Sequence, residues 1–141
     1  RDWFRGYLES ALDEREILVA IDLPRWPKGH GCGFHEFARR HGDFAVAGAA
    51  ALLSQDAGRK VQRAAIVVFG VEASPVRLAA TEQAMLGRAI DDAAIAAAVD
   101  EARGLDAMGD VHVSPDYRRR IAGVAVARAL RQAAANSGAT P

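Results

Sequence analysis

Hydrophobic side chains recur at every second position along residues 16–24, which read EILVAIDLP. The side chains on one side of this alternation are Ile17, Val19, Ile21 and Leu23. A period of two, several β-branched residues and a closing proline are typical of a half-buried β-strand. We therefore predict a strand here, with that apolar side facing the core.

Three further stretches in the first half of the chain have the composition of strands. Residues 61–71 contain the apolar run AIVVF and predict a buried strand, and residues 32–39 predict a strand that ends in a turn at residues 41–43. Residues 44–54 are apolar and alanine-rich, and their pattern is compatible with either a helix or a strand. Residues 25–33 contain three glycines and a proline and predict a loop.

After residue 75 the pattern becomes helical. Thr81 is placed to cap a short helix that stops at Gly87. Residues 91–103 predict a second helix, because acidic residues at its start and an arginine at its end suit the helix dipole. Ser114, followed by a proline, predicts the N-cap of a long helix that runs to about residue 135. Residues at helical spacing predict the apolar stripe of that helix: Tyr117, Ile121, Val124 and Arg128.

Strands followed by helices predict an α+β fold. We expect an antiparallel sheet of about three to four strands, followed by helices packed on one of its faces. The length of 141 residues fits a single domain with a hydrophobic core. We expect residues 1–15, which contain Trp3, Phe4 and Tyr7, to be a connector that packs on another domain. Residues 136–141 are small and polar, and we expect them to form a flexible tail.

Composition and charge exclude several functional classes. Eighteen basic residues balance eighteen acidic ones, so the chain lacks the single-sign charge of proteins that bind nucleic acids or membrane surfaces. No apolar run approaches the roughly 20 residues needed to span a bilayer. A single cysteine excludes an internal disulfide and an iron–sulfur cluster held by this chain alone. No export signal is recognisable, so we expect a cytoplasmic protein, and the excess of arginine over lysine fits a bacterial genome.

The residues themselves complete no catalytic or metal site. His30, Cys32 and His35 are competent metal ligands, but a structural zinc needs four ligands and no second pair stands elsewhere. Carboxylate–imidazole pairs within residues 41–43 and 110–112 lie in turn-like sequence, where these residue types are common for backbone reasons. We therefore predict no catalytic residue and no metal ligand in this chain.

Two other patterns have ordinary explanations. The glycine-rich residues 29–33 match neither the dinucleotide-binding fingerprint nor a P-loop. Residues 118–120 are three arginines, but successive helical residues point about 100° apart, so they form no single basic face. We expect these arginines to be solvated or paired with carboxylates. Arg128 lies on the predicted apolar stripe and, if buried, needs a carboxylate partner.

Four segments, in order along the chain, carry a resemblance to one known family. Residues 12–18 followed by Pro24 resemble its "L…EIL…P" strand, and residues 34–47 (FHEFARRHGDFAVA) resemble the signature that opens its domain. Residues 75–87 resemble its "P-x-R…E…L-x-G" segment, and residues 114–130 resemble its "S-x-x-Y-R-R…R-A-L" helix. The family is the C-terminal domain of the FAD-binding medium subunit of molybdenum hydroxylases, which include carbon monoxide dehydrogenase and xanthine dehydrogenase.

The resemblance implies a part of an FAD-dependent oxidoreductase that is not active alone, with residues 16–135 as its C-terminal flavoprotein domain. It implies that FAD is shared with an N-terminal FAD-binding domain, whose glycine-rich phosphate loops have no counterpart here. It also implies a molybdenum cofactor and [2Fe–2S] clusters on partner subunits, from which FAD passes electrons to an acceptor. The expected partners are that N-terminal domain, the iron–sulfur small subunit and the molybdopterin large subunit, with no nucleic acid and no membrane.

The resemblance also implies contacts to the flavin. Leu18 corresponds to a family residue that contacts the flavin, and His35 falls where xanthine-oxidising members place a lysine near the isoalloxazine ring. Ile17 and Phe34 are neighbouring candidates for cofactor binding, and core packing is the competing explanation for both. An alternative function stays open, which is a stand-alone, non-catalytic interaction or dimerisation module that kept this fold and lost the flavin.

Overall fold

A four-stranded antiparallel sheet carries three helices on one of its faces. The structure, a computed structural model, describes residues 3–138. In chain order the elements are β1 (Phe4–Gly6), β2 (Glu9–Ser10), β3 (Gly31–Phe37), β4 (Ala47–Gln55), β5 (Val61–Phe69), β6 (Val76–Arg77), α1 (Ala79–Met85), α2 (Asp92–Arg103) and α3 (Pro115–Asn136). β1 and β2 form a small hairpin, and the main sheet has the order β3-β4-β5-β6. The predicted α+β class is confirmed, and β4 decides the open alternative at residues 44–54 in favour of a strand.

The long helix α3 lies directly against β3 and β4 and packs on α2. The facing surfaces of β4 and α3 consist largely of alanine, and because small side chains allow the axes to approach closely, helix and sheet bury each other fully. These alanines, each at most 1% exposed, are Ala47, Ala49, Ala51, Ala122, Ala125, Ala129 and Ala133. Larger side chains complete the core around them: Leu53, Val61, Ile66, Val68, Leu78, Val126 and Leu130.

The closest approach of helix and sheet is at β3, where two glycines face α3. A Cβ atom on Gly33 would lie 2.8 Å from the carbonyl carbon of Ala129, and one on Gly31 would lie 2.6 Å from the amide nitrogen of Ser137. No side chain fits in that space. The helix therefore rests on the backbone of the strand.

Two of the three predicted helix starts are confirmed. At the start of α2, the Asp91 side chain accepts a hydrogen bond from the backbone N–H of Ala94 at 2.8 Å. At the start of α3, the Ser114 hydroxyl oxygen accepts from the backbone N–H of Tyr117 at 3.3 Å. Both are N-caps of the ordinary kind, which satisfy backbone donors that a helix leaves free.

The prediction that Thr81 caps the first helix is wrong. α1 begins at Ala79, so Thr81 lies inside the helix and is buried. Its backbone N–H donates to the Glu101 carboxylate at 2.8 Å, and its hydroxyl donates to the same oxygen. Because a charged acceptor on α2 makes a stronger hydrogen bond than a local cap, Thr81 joins two helices instead of starting one.

The predicted strand at residues 16–24, from here on the linear segment, belongs to no sheet. The chain runs from residue 16 to residue 27 without a turn, a bend or a strand pairing. The side predicted to face the core is exposed: Ile17 84%, Val19 93%, Ile21 72% and Leu23 84%. The alternation is real, but the described part of the chain offers no long free sheet edge to pair with it. Side chains of α3 occupy the outer edge of β3, and β1, β2 and β6 are only two or three residues long.

The predicted apolar stripe of the long helix is wrong as well. Tyr117 and Val124 are 40% and 41% exposed, Arg128 is exposed and Ile121 is half-buried. The side of α3 that faces the sheet carries mostly small residues, because the glycines and alanines of β3 and β4 let the helix approach so closely that little space remains for large ones. The buried residues of α3 are Arg118, Ala122, Gly123, Ala125, Val126, Ala129, Leu130 and Ala133.

Residues 136–138, the first part of the predicted flexible tail, are hydrogen-bonded to β3 and to two loops at one end of the sheet. The carbonyl oxygen of Ser137 accepts from the Arg59 guanidinium at 2.9 Å, and the N–H of Gly138 donates to the carbonyl of Gly29 at 2.8 Å. Residues 139–141 of that tail, and residues 1–2 of the predicted connector, lie outside the described residues. No helix within residues 3–138 has both the length and the apolar character needed to cross a bilayer.

Candidate functional site

Two of the predicted site residues, Phe34 and His35, are neighbours on β3 and project to opposite faces of the sheet. His35 points to the side covered by α3, and Phe34 points to the side that carries no helix. We name this second side the open face. Successive strand residues alternate in this way, so one flat ligand cannot contact both side chains from the same side of the sheet. The open face is lined by Cys32, Phe34, Glu36, Ala50, Leu52, Val67 and Phe69.

An aromatic pair stands at the centre of the open face. The rings of Phe34 and Phe69 stack with centroids 5.6 Å apart and an angle of 20° between their planes. Phe69 lies flat over β4 because its neighbour there is Gly48, where any Cβ atom would overlap the ring. Phe34 remains 57% exposed. The pair thus offers a flat apolar surface that the described residues do not cover.

His35 is held as a neutral imidazole by an arginine of α3. The Nη1 atom of Arg128 lies 3.0 Å from Nε2 of His35. Because a guanidinium only donates, Nε2 must accept, and the ring proton sits on Nδ1. Burial, and then the positive charge of Arg128, lower the pKa of His35 below its usual value. The fixed positive charge at this point of the sheet therefore belongs to Arg128. Arg128 is exposed, and its partner is an imidazole and not the carboxylate that a buried arginine would need.

The other two predicted site residues, Ile17 and Leu18, lie in the linear segment. Leu18 is 47% exposed and is thus better covered than Ile17, at 84%. Among the described residues, no hydrogen bond joins residues 17–24 to β3. The structure therefore places Phe34 and His35 on opposite faces of β3 and leaves Ile17 and Leu18 on a separate segment.

Three side chains of α3, spaced four residues apart, follow the outer edge of β3. Besides Arg128, they are Gln132, whose amide oxygen accepts from the N–H of Phe34 at 2.9 Å, and Asn136, whose amide nitrogen donates to the carbonyl of Cys32 at 2.9 Å. Spacing of four residues places them on one side of the helix. Gln132 and Asn136 satisfy two backbone groups that an edge strand leaves unpaired, which hinders the addition of a further strand there. Sequence reasoning did not identify Gln132 or Asn136.

A cleft of about 750 Å³ opens at the end of the sheet where three loops meet. Arg118, buried at its base, donates to the carbonyls of Val46 and Gly70 at 2.8 and 2.6 Å and pairs with Asp110 at 2.6 Å. For Arg118, the expectation of solvation or a carboxylate partner is confirmed in its second form, by the pair with Asp110. Backbone N–H groups of the adjacent turn, that of His112 above all, and then Arg118 hold the pKa of Asp110 below its usual value. Since its two terminal nitrogens bind Val46, Gly70 and Asp110, Arg118 ties three loops together.

The ligands considered for a metal do not converge. Cys32 projects to the open face and His35 to the helix side, while Nδ1 of His30 lies 2.9 Å from the carbonyl oxygen of Pro27. Among the described residues, no three His, Cys, Asp or Glu side chains cluster closely enough to hold a metal ion.

Comparison with known proteins decides the family. The model of the family described as "CO dehydrogenase flavoprotein C-terminal domain" matches residues 33–133. The chain belongs to this family. The matched range contains Phe34, His35, Phe69 and Arg128, and it begins after the linear segment.

Relatives of this flavoprotein domain extend the match to almost the whole chain. The alpha subunit of the 6-hydroxypseudooxynicotine dehydrogenase complex of Paenarthrobacter nicotinovorans is 37% identical over 129 residues, which cover 91% of this chain and 44% of that protein. The carbon monoxide dehydrogenase medium chain of Afipia carboxidovorans is 33% identical over 138 residues, which cover 97% and 48%. The flavoprotein domain thus spans about half the length of the curated relatives it matches.

The fold of the flavoprotein domain is also found in a solved structure. Carbon monoxide dehydrogenase from Hydrogenophaga pseudoflava, in a form that lacks the Mo-pyranopterin moiety of the molybdenum cofactor, contains a chain with a TM-score of 0.89 and 32% identity. The similarity covers 96% of this chain and 47% of that one. The resemblance noted from the four sequence segments is confirmed.

Proposed function

We propose that this chain is the C-terminal domain of the FAD-binding subunit of a molybdenum-containing hydroxylase or dehydrogenase, in which it covers the flavin. The family match over residues 33–133 and the alignment with half of a carbon monoxide dehydrogenase medium chain support the proposal. In such an enzyme, FAD takes electrons from [2Fe–2S] clusters and passes them to an acceptor. The substrate is oxidised elsewhere, so the domain has no catalytic residue of its own.

The observation that carries the proposal is the open face of the sheet. One face is sealed by alanine-to-alanine packing with α3, while the other presents the Phe34–Phe69 pair with Phe34 more than half exposed. Aromatic rings favour offset stacking or edge contact with other flat rings. A surface of this kind suits one side of an isoalloxazine ring, or of the domain that holds it.

The residues present fit part of FAD and not the whole. Phe34 offers an aromatic surface on the open face, and Leu18 offers a half-covered aliphatic one. His35 lies on the opposite face of β3, so its Nδ1–H is proposed as a donor to a carbonyl group and not as a contact to the ring that lies on Phe34. A pyrophosphate requires a nest of backbone N–H groups or several cations. In the glycine-rich residues 29–33 that nest is lacking, because β3 starts at Gly31 and its residues are engaged in strand pairing. We propose that an N-terminal FAD-binding domain supplies the pyrophosphate contacts.

The partners follow from the same proposal. Electrons reach the flavin from an iron–sulfur small subunit, and they originate at the molybdopterin large subunit, so the domain works inside a complex. Neither nucleic acid nor a membrane is a proposed partner, since positive and negative residues balance. We place the complex in the cytoplasm.

The proposal is tested by flavin binding in the complete FAD subunit. Full burial of a leucine contributes about 2 kcal/mol, and roughly half of the Leu18 side chain is available for contact, so Leu18→Ala should weaken FAD binding about fivefold. His35→Ala should change the rate at which the bound flavin reduces its acceptor, whereas His35→Gln, which can still accept from Arg128, should change it less.

The control is Val111→Ala, which trims a hydrophobic side chain that is 92% exposed in the loop before α3. It should leave flavin affinity unchanged. If the complete subunit contains no flavin, the proposal fails and the stand-alone interaction module is favoured. If it contains flavin and both Leu18→Ala and His35→Ala are silent, the assigned contacts are wrong.

A further inference from the structure

The linear segment is a strand without a partner. Residues 17–23 read ILVAIDL, and their alternating side chains Ile17, Val19, Ile21 and Leu23 are 72–93% exposed. Among the described residues, none of their backbone N–H or C=O groups makes a backbone hydrogen bond. The segment nevertheless contains no turn or bend. It has the side-chain pattern of a β-strand and lacks the hydrogen-bonding edge of another strand.

The segment is fixed beyond its C-terminal end by an anchor on β5. The guanidinium of Arg63 lies 4.1 Å from the ring centroid of Trp26, and its Nη1 donates to the carbonyl of Arg25 at 3.4 Å. A cation over an indole face is attracted by the ring quadrupole. The anchor therefore holds the segment at its C-terminal end, while residues 17–23 make no backbone hydrogen bond to another described residue.

The rest of the protein shows how it treats exposed strand edges. The outer edge of β3 is blocked by Gln132 and Asn136, and the opposite edge of the sheet ends in the two-residue strand β6. Proteins protect edges in this way, or with lysine and proline, because a free edge pairs with other chains. Residues 17–23 contain no lysine, arginine or proline. A segment so exposed and so unprotected is an aggregation hazard unless another strand covers it.

We infer that the linear segment adds as a strand to the edge of a β-sheet in the N-terminal half of the FAD subunit. The partner named here rests on the proposed function, since the curated relatives contain about as much polypeptide again as this chain spans. Addition at an edge pairs the amides of every second residue and leaves the intervening ones to solvent. The apolar side chains from Ile17 to Leu23 then pack on that sheet, which places the neighbouring Leu18 at the junction of the two halves.

Hydrogen–deuterium exchange tests this inference in the complete FAD subunit and in the 141-residue chain alone. In the complete subunit, alternate amides of residues 17–23 should exchange at least about 100-fold more slowly than in the chain alone. The amides of Gln132-capped β3 serve as the internal reference, because they should be protected in both. Val19→Pro and Ala20→Pro form a matched pair, since proline removes one N–H from opposite edges of the strand. One of them should weaken assembly of the two halves at least about tenfold more than the other.

The outcomes separate this inference from the proposed function. Fast exchange throughout residues 17–23 in a subunit that contains flavin would overturn the inference and leave the proposed function standing. Protection of alternate amides in a subunit that contains no flavin would support the inference and overturn the proposed function. Protection already present in the chain alone, together with elution as a dimer, would make a second copy the partner and overturn the inference. Equal effects of the two proline substitutions would mean that the segment packs through its side chains only, which also contradicts it.

Discussion

Gly33→Ala should destabilise the protein strongly, although alanine normally outperforms glycine in regular structure. A methyl group at this position would lie 2.8 Å from the carbonyl carbon of Ala129 and 2.9 Å from the amide nitrogen of Ala133, and closer still to the carbonyl oxygen of Ala129. Carbon atoms pack at about 3.5 Å or more, so the contact with the carbonyl carbon alone would require α3 to retreat from β3 by about 0.7 Å, and the contact with the carbonyl oxygen would require more.

That movement opens the most tightly packed part of the core. The alanines of α3 that face the sheet are fully buried, and all of them would lose contacts together. Overpacking in a core costs about 1–3 kcal/mol. Because the obstacle at Gly33 is helix backbone, which no rotamer change can relieve, we expect a loss of about 3 kcal/mol. For a domain of this length that corresponds to a fall in Tm of about 10 °C.

The assay is thermal and urea unfolding followed by circular dichroism. The matched control is Gly58→Ala in the turn between β4 and β5, where the added methyl group would meet only a side-chain oxygen of Asp56 at 3.4 Å. We expect that variant to be as stable as the parent or slightly more stable, since alanine restricts the unfolded chain. A Tm of Gly33→Ala within about 2 °C of the parent would refute the close approach of α3 to β3.

Two further predictions concern buried or paired charges. His35 should titrate below 6.5 by NMR, because burial and the charge of Arg128 lower its pKa, and Arg128→Gln should raise the midpoint. As pH falls from 6.5 towards that lowered pKa, the unfolded chain binds a proton that the folded one does not, so the free energy of unfolding should decrease, and His35→Gln should flatten this dependence. Arg118→Met should lower the free energy of unfolding by about 2 kcal/mol, since two backbone carbonyls lose their donor, whereas the exposed Arg120→Met should change it little. An unchanged midpoint in Arg128→Gln, or equal stabilities of the two methionine variants, would contradict these readings of the contacts.

Elements with strong local signals could be predicted from the sequence. The β-branched run of β5 and the caps at Asp91 and Ser114 act over a few residues, and the structure has them where the pattern placed them. The predictions fail where a residue distant in sequence determines the local structure. Thr81 has the chemistry of a helix N-cap, but Glu101 lies close enough to accept its hydrogen bonds. The linear segment has the alternation of a strand, but a strand also needs an edge to pair with, and residues 3–138 provide no long free one.

The prediction of which face of α3 is buried failed for a reason that also made the candidate site hard to predict from the sequence. Large residues normally mark the buried side of a helix, yet α3 packs on glycine and alanine, so its buried side is the one with small residues. Once α3 lies that close, its polar side chains reach the edge of β3 from positions more than 90 residues away in sequence. The neutral state of His35 is a product of this packing, and a resemblance that identifies His35 cannot supply it. The usable signal is joint: glycines at alternate strand positions, Gly31 and Gly33, together with donors or amides at every fourth helix position, Arg128, Gln132 and Asn136. Neither pattern alone predicts the site, because the glycines allow the close approach of α3 and only that approach lets the polar side chains reach the edge of β3.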